Sequence, residues 1–209
     1  MYKKFLIVLV IFISSIVYSQ SFEHFGLKVG TTASSPIWSH DSKSDSHVQT
    51  KWGLDIGAFV ELGLGEDIAL VPEIHFIQKG LRYDIPITTM EFPDGTGRFI
   101  TLKPNVNYLS IPIDIKYTFY KSLFELYTIG GGRLDFAVDK NGDGFDYQYK
   151  EFNNVDLGVS IGAGVRTKNL IGIGTGLEFR YSPNVTASYS QSNEKITNNS
   201  FEILFVIYH

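Results

Sequence analysis

Apolar and polar residues alternate in eight stretches of the chain, and the clearest stretch runs from Leu109 to Phe119. Every odd position in it is apolar, whereas the even positions carry Ser, Pro, Asp, Lys and Thr. Successive side chains of a β-strand point to opposite faces, so this pattern predicts strands with one apolar and one polar face. The predicted strands are, in order, 24–33, 50–62, 67–82, 105–119, 123–137, 155–166, 170–182 and 200–208.

The connections between these strands alternate between long polar segments and short turns. The long segments are 34–49, 83–104, 138–154 and 183–199, and the short turns are 63–66, 120–122 and 167–169. Barrels of the outer membrane have short periplasmic turns and long extracellular loops, whereas a soluble barrel has no physical reason to sort its loops by length. The pattern therefore predicts an all-β fold: an eight-stranded antiparallel up-and-down transmembrane β-barrel.

The polar faces of the predicted strands carry many charged residues, which would face the lumen because charges are costly in hydrocarbon. The predicted lumenal residues are Asp55, Glu61, Glu73, His75, Lys79, Asp114, Lys116, Glu125, Arg133, Asp135, Asp156, Arg166, Glu178, Arg180 and Glu202. Eight strands leave an interior wide enough only for side chains or one small ligand. We therefore expect a lumen filled by paired charges, with a narrow polar conduit as the alternative. The mixture of signs argues against strong ion selectivity.

The first residues of the chain have the pattern of a secretory signal peptide. Lys3 and Lys4 precede an apolar run over 5–13, and Val17-Tyr18-Ser19 is a plausible cleavage site before Gln20. We predict a signal peptide over 1–19 and an outer-membrane β-barrel domain over 20–209. No cysteine follows the site, which excludes both disulfides and a lipid anchor on a mature N-terminal cysteine.

Composition narrows the class further. No later stretch approaches 18 uninterrupted apolar residues, which argues against a helical membrane protein. The 20 glycines and the many Phe and Tyr residues suit strands better than helices. Without Lys3 and Lys4, the remaining 16 basic and 22 acidic residues give a net charge of −6. That balance argues against a nucleic-acid partner, which requires a concentrated basic face.

The third and fourth predicted strands carry the segments Pro72–Gly80 and Asn107–Ile113, which resemble the PorT-like outer-membrane β-barrel family. Its members carry a PEL…QKG strand and a Y-L-x-I-P strand at this separation. The glycine-rich segments 26–30, 130–132 and 162–164 also fit, so the resemblance covers essentially the whole mature chain. It implies a porin-like barrel in the outer membrane of a Gram-negative envelope. The founding member of the family is implicated in protein secretion, but the sequence pattern alone does not assign that role to this chain.

The end of the chain departs from the usual outer-membrane pattern. The last strand commonly ends in an aromatic residue, often Phe, on the lipid face, where the assembly machinery recognises it. In this chain His209 stands at that lipid-facing position. Phe201 and Phe205 supply aromatic residues at earlier lipid-facing positions of the strand, as in the usual pattern.

One segment resembles the start of a calcium-binding loop. Asp139, Asn141 and Asp143 stand at positions 1, 3 and 5 of a D-x-N-x-D-G pattern, with Gly144 at position 6. The bidentate Glu expected at position 12 is replaced by Lys150. A surface turn rich in Asp and Gly is the simpler explanation of the segment. We therefore expect no cofactor, with weak calcium binding as the alternative.

No catalytic motif is present. His75 lies beside Glu73, but nothing has the spacing of a nucleophile motif, and we interpret His75 as a lumenal hydrogen-bonding residue. His40 and His47 flank a polar loop and are interpreted as solvated residues rather than metal ligands. We expect no enzymatic activity.

The predicted function is that of an integral outer-membrane protein with a structural or binding role through its extracellular loops. It would be exported to the periplasm by its signal peptide and inserted by the barrel-assembly machinery. Its other expected partners are outer-membrane lipid and an extracellular or envelope protein. The alternatives are a small porin-like channel, an accessory component of a protein-secretion system, a lipid-active enzyme and a secreted soluble barrel that holds a ligand.

Overall fold

The computed structural model describes residues 21–39, 48–87, 97–142, 153–167, 172–191 and 194–209. The predicted signal peptide, His40, His47 and Asp143 lie outside these residues. Within the described ranges, no helix is long and apolar enough to cross a membrane.

The described residues form ten β-strands. They are β1 Ser21–Ser39, β2 Val48–Gly63, β3 Ile68–Pro86, β4 Phe99–Leu102, β5 Asn105–Lys121, β6 Phe124–Asn141, β7 Val155–Thr167, β8 Gly174–Pro183, β9 Tyr189–Gln191 and β10 Glu194–Tyr208. Eight of them are long and pair antiparallel in the order β1-β2-β3-β5-β6-β7-β8-β10. Pairing of β1 with β10, for example Leu27 with Ile207, closes this sheet into a ring. The all-β, up-and-down fold predicted from the sequence is thereby confirmed.

The long strands extend further than predicted at the end that carries the long connections. β1 continues to Ser39 and β6 to Asn141, both inside segments that were predicted to be loops. The short strands β4 and β9 also lie in predicted loops, where they pair with β3 and β10. The loop assignments at these positions were wrong because the alternation of apolar and polar residues stops there, although strand pairing continues.

The predicted turn at 167–169 was too short. β7 ends at Thr167 and β8 begins only at Gly174, so Ile173 precedes the strand that it was predicted to join. Gly172 has φ of 87°, a left-handed backbone conformation that glycine adopts without steric cost. This residue lies two positions before the start of β8.

The two faces of the ring differ as the alternation predicts. On β5, Ile113 and Ile115 are 54% and 55% exposed on the outside, whereas Asp114 is fully buried inside. Aromatic side chains border the apolar stretch of the outer face at both ends. Tyr181 and Phe201 have ring centroids 4.6 Å apart at the end that carries the long connections, and Tyr120 and Phe124 have centroids 5.3 Å apart at the opposite end. The outer surface is therefore an apolar band bordered by aromatic residues.

The closure of the ring continues to the last residue of the chain. The Phe25 N–H donates to the His209 carbonyl oxygen at 3.2 Å, and the His209 N–H donates to the Phe25 oxygen at 2.9 Å. The rings of these two residues meet edge to face with centroids 5.6 Å apart. The imidazole of His209 therefore occupies the outward position that an aromatic residue holds in the usual pattern.

Candidate functional site: the lumen

The interior of the ring is charged. Of the predicted lumenal residues, all are buried except Glu125, which is half-buried. Sequence reasoning missed Lys28, which is 2% exposed. The signal was present in the sequence, because Lys28 lies between the outward-facing Leu27 and Val29. Apart from Asp156, the buried charges form three clusters along the lumen.

The first group, the rim cluster, consists of Glu61, Lys116, Glu125 and Arg166 and lies at the end with the short turns. Arg166 Nη1 is 2.6 Å from Glu61 Oε2, and Arg166 Nε is 2.5 Å from Glu125 Oε2. Lys116 pairs with the other oxygen of Glu61. Because β2 and β7 lie on opposite sides of the ring, the pair of Glu61 with Arg166 crosses the lumen.

A layer of apolar side chains lies above the rim cluster. It consists of Phe59, Val71, Ile129, Val206 and Tyr208, each at most 6% exposed. Along β2, Glu61 of the rim is followed inward by Phe59 and then by Asp55. Four strands contribute one or two side chains each to this layer, which separates the rim cluster from the charges beyond it.

The second group, the central cluster, consists of Lys28, Asp55, Glu73, His75, Asp114, Glu178 and Arg180. Lys28 Nζ is 2.7 Å from Glu73 Oε1 and 3.0 Å from Glu178 Oε2. Arg180 Nη2 is 2.6 Å from Glu178 Oε1 and 3.1 Å from Glu73 Oε1. Since β3 and β8 lie on opposite sides of the ring, the pair of Glu73 with Arg180 also crosses the lumen.

The other members of the central cluster complete the network. Arg180 Nη1 lies 3.3 Å from Asp114 Oδ2, and the hydroxyl of Ser160 donates to Asp114. His75 contacts Asp55 through one ring nitrogen and Glu73 through the other. The prediction that His75 is a lumenal hydrogen-bonding residue is confirmed.

The third group, the upper cluster, consists of Lys79, Arg133, Asp135 and Glu202. Lys79 Nζ lies 2.9 Å and Arg133 Nη2 3.2 Å from Asp135 Oδ2. Arg133 Nη1 is 3.5 Å from Glu202 Oε1. These ion pairs connect β3, β6 and β10 across the interior.

Polar and apolar side chains fill the end of the lumen beyond the upper cluster. Asp156 accepts hydrogen bonds from Ser188 at 2.6 Å, Asn184 at 3.1 Å and Tyr108 at 3.3 Å. The Tyr108 ring packs with Val106 and Ile196 in a second apolar cluster. At the opposite end, a cavity of about 180 Å³ is bordered by Lys116, Arg166 and residues of the short turn at 65–67.

Two of the three predicted calcium-binding residues, Asp139 and Asn141, are exposed and lie outside the lumen. Asp139 and Asn141 belong to β6, where they pair with Asn107 and Asn105. The amide of Asn107 donates to Asp139 Oδ2 at 3.0 Å. Asp143 lies beyond the described residues, so calcium binding here stays a prediction.

Comparison with known proteins identifies the family. A family model described as outer membrane protein beta-barrel domain matches residues 18–190. The chain belongs to this family. Membership in this outer-membrane β-barrel family places the protein in the outer membrane, with its closed ring of strands as the barrel. No curated protein matches the chain.

Solved structures share the barrel fold of this family member. Neisserial surface protein A is 11% identical with a TM-score of 0.50, and the match covers 89% of this chain and 97% of that one. The outer membrane protein OprG of Pseudomonas aeruginosa is 12% identical with a TM-score of 0.50, and the match covers 91% of this chain and 97% of that one. At these identities the similarity concerns the fold alone.

Proposed function

We propose that the protein is an outer-membrane barrel with a closed lumen that acts as a binding or structural protein through its extracellular end. The observation that carries this proposal is the blocked interior. Ion pairs between opposite strands cross the lumen at two levels, as Glu61 with Arg166 and as Glu73 with Arg180. A continuous water path would require buried pairs to separate, and an uncompensated buried charge costs several kcal/mol.

The extracellular end offers a surface for a partner. β3 and β4 extend together beyond the apolar band, and Phe99 and Ile100 of β4 are 57% and 53% exposed. Adjacent residues of a strand point to opposite faces, so both faces of this extension carry exposed apolar side chains. Exposed apolar residues on a loop extension favour a protein partner in the extracellular space.

Planar-bilayer recording tests whether the lumen is closed. The refolded wild-type barrel should show no discrete conductance steps, with folding verified by faster migration of the unboiled protein on a detergent gel. The double variant Glu61→Gln with Glu73→Gln loosens both cross-lumen pairs but keeps the apolar layer that contains Phe59, so it should show no steps either. Regular steps in the wild type would overturn the closed lumen and support the alternative of a small porin-like channel.

Photocrosslinking tests the binding surface. A photoreactive amino acid at position 99 should capture an extracellular or envelope protein in cells, while the same residue at the outward-facing position 115 should capture lipid. Absence of a protein adduct from position 99, with the lipid adduct present, would contradict a partner at β4.

We also propose export by cleavage of the N-terminal segment, supported by the basic and apolar pattern of residues 1–19. Mass spectrometry of the protein from outer membranes should show a mature chain that starts at Gln20. A chain that keeps Met1 would contradict cleavage.

The resemblance of residues 72–80 and 107–113 to the PorT-like family supports an accessory role in protein secretion as a second candidate, and deletion of the gene should then reduce secreted protein.

A further inference from the structure

Both ring nitrogens of His75 contact carboxylate oxygens. Nδ1 lies 2.6 Å from Asp55 Oδ1 and Nε2 lies 2.7 Å from Glu73 Oε2, and all three side chains are at most 1% exposed. An ionised carboxylate only accepts hydrogen bonds, and a neutral imidazole has a single N–H. We infer that the lumen contains a binding site for one proton: His75 is an imidazolium that donates to Asp55 and to Glu73.

The charges around His75 favour this proton. Among the described residues, no Lys or Arg nitrogen is recorded within 4 Å of Asp55, which is fully buried. Glu73, in contrast, also pairs with Lys28 and Arg180. With a neutral His75, Asp55 would be a buried carboxylate without a counter-charge, an arrangement that costs several kcal/mol.

The wider lumen has the same excess of negative charge. The buried side chains of the described residues include eight carboxylates but only six Lys or Arg. The other charged groups that line the interior near the site are Lys28 of β1, Asp114 of β5, Arg133 and Asp135 of β6, Glu178 and Arg180 of β8 and Glu202 of β10. An imidazolium reduces this excess at Asp55, a carboxylate that no Lys or Arg of the described residues pairs with.

The neighbouring strand leaves space for this ring. Gly57 of β2 pairs in register with His75, and a Cβ at position 57 would lie 2.5 Å from the imidazole carbon atoms. Only glycine allows the ring to lie flat over the strand and to reach Asp55, two residues away on β2. The site therefore consists of the imidazole ring of His75, the two carboxylates that it contacts and the glycine at position 57.

The inference has a consequence for folding. A free histidine is mostly neutral at pH 7, because its pKa is about 6.5. At this site the folded barrel then binds more protons than the unfolded chain, so the contribution of His75 to stability falls as the pH rises above neutral. This behaviour is independent of whether the lumen conducts ions.

Nitrogen NMR of histidine-labelled barrel in detergent micelles tests the proton directly. In the wild type at pH 7, both nitrogens of His75 should resonate as protonated N–H nitrogens, whereas an exposed histidine titrates near its free value. The His75→Gln variant assigns the signals by their loss. A His75 signal with one unprotonated nitrogen at pH 7 would overturn the inference.

Two variants distinguish the direct effect of Asp55 on His75 from the electrostatic field of the other lumenal charges. Asp55→Asn removes the carboxylate on Nδ1, so His75 should lose its second proton at a lower pH than in the wild type. Asp114→Asn removes a buried carboxylate that contacts Arg180 but not His75, and it should leave both nitrogens protonated at pH 7. Equal effects of the two variants would contradict a specific site. The wild-type spectrum decides the question even where a variant fails to fold, and conductance plays no part in this readout.

Discussion

At the scale of single residues, the interior of this barrel depends on charges that have several partners each. Arg180 contacts Glu73, Asp114 and Glu178, which come from three different strands. Truncation of Arg180 leaves Asp114 without a basic partner and leaves Glu73 and Glu178 with Lys28 alone among the Lys and Arg of the described residues. The loss of stability on truncation therefore depends on how many ion-pair partners the side chain has rather than on any single distance.

We expect Arg180→Met to lower the free energy of unfolding by about 3–5 kcal/mol, because it breaks a buried ion-pair network. Urea unfolding of the barrel in detergent or vesicles measures this change. The matched control is Arg82→Met. The Arg82 side chain is 45% exposed, and its Nε lies 3.4 Å from Asp84 Oδ1. Loss of an exposed pair should change stability by no more than about 1 kcal/mol. Similar losses for the two variants would contradict a structural role for the lumenal network.

At the scale of strands, glycines on one strand make room for large lumenal side chains on the next. A Cβ at Gly164 would lie 2.3 Å from the Tyr127 ring, and one at Gly174 would lie 2.2 Å from the Tyr208 ring. Both glycines pair in register with the residue whose ring covers them. In a narrow barrel this arrangement lets an aromatic side chain lie flat against the wall instead of filling the lumen.

Gly57→Ala should therefore destabilise the barrel by about 1–3 kcal/mol, the usual cost of overpacking. The methyl group would meet the His75 ring and displace it from its carboxylates. Gly132→Ala is the matched control, because Gly132 lies on the outer face of a strand and a Cβ there meets nothing within 4 Å. Unfolding midpoints of the two variants give the comparison, and a loss at position 132 as large as that at position 57 would rule out a steric cause.

Alternation along the strands was sufficient to predict the eight long strands and the lumenal face, and it would have identified Lys28 as well. It could not predict which charges meet. Glu61 and Arg166 come together only because the ring places β2 opposite β7, and the stagger of the strands decides which levels coincide. The short strand β4 was missed for a related reason: above the apolar band, neither face of a strand is uniformly apolar, so alternation gives no signal.

At the scale of the whole molecule, the barrel has its apolar surface outside and its charges inside. This arrangement is stable only with lipid around the outer face. Ile113, Ile115 and Tyr117 of β5 are each about half exposed in the middle of the outer surface. Towards the extracellular end, the outward positions of the same strand are the polar residues Asn105 and Asn107. The boundary of the hydrocarbon should therefore lie between Leu109 and Asn107.

The loss of stability caused by a charge on the outer face should depend on the depth of that position in the membrane. Ile115→Arg should lower the free energy of unfolding in lipid vesicles by about 2–4 kcal/mol, as expected near the bilayer midplane. Asn107→Arg, at the first outward position beyond the apolar band, should lower it by no more than about 1 kcal/mol. Equal costs at the two positions would mean that the band does not mark the hydrocarbon.

The pairing of each covered glycine with one ring also constrains how the family can vary over evolution. Positions 57 and 75 form a steric unit, so a relative that replaces the histidine by a small side chain is free to carry a larger residue opposite it. Relatives that keep the imidazole must keep the glycine. Substitutions at these two positions should therefore be correlated among homologous barrels, as should those at 164 with 127 and at 174 with 208, while the outward-facing glycine at 132 varies independently.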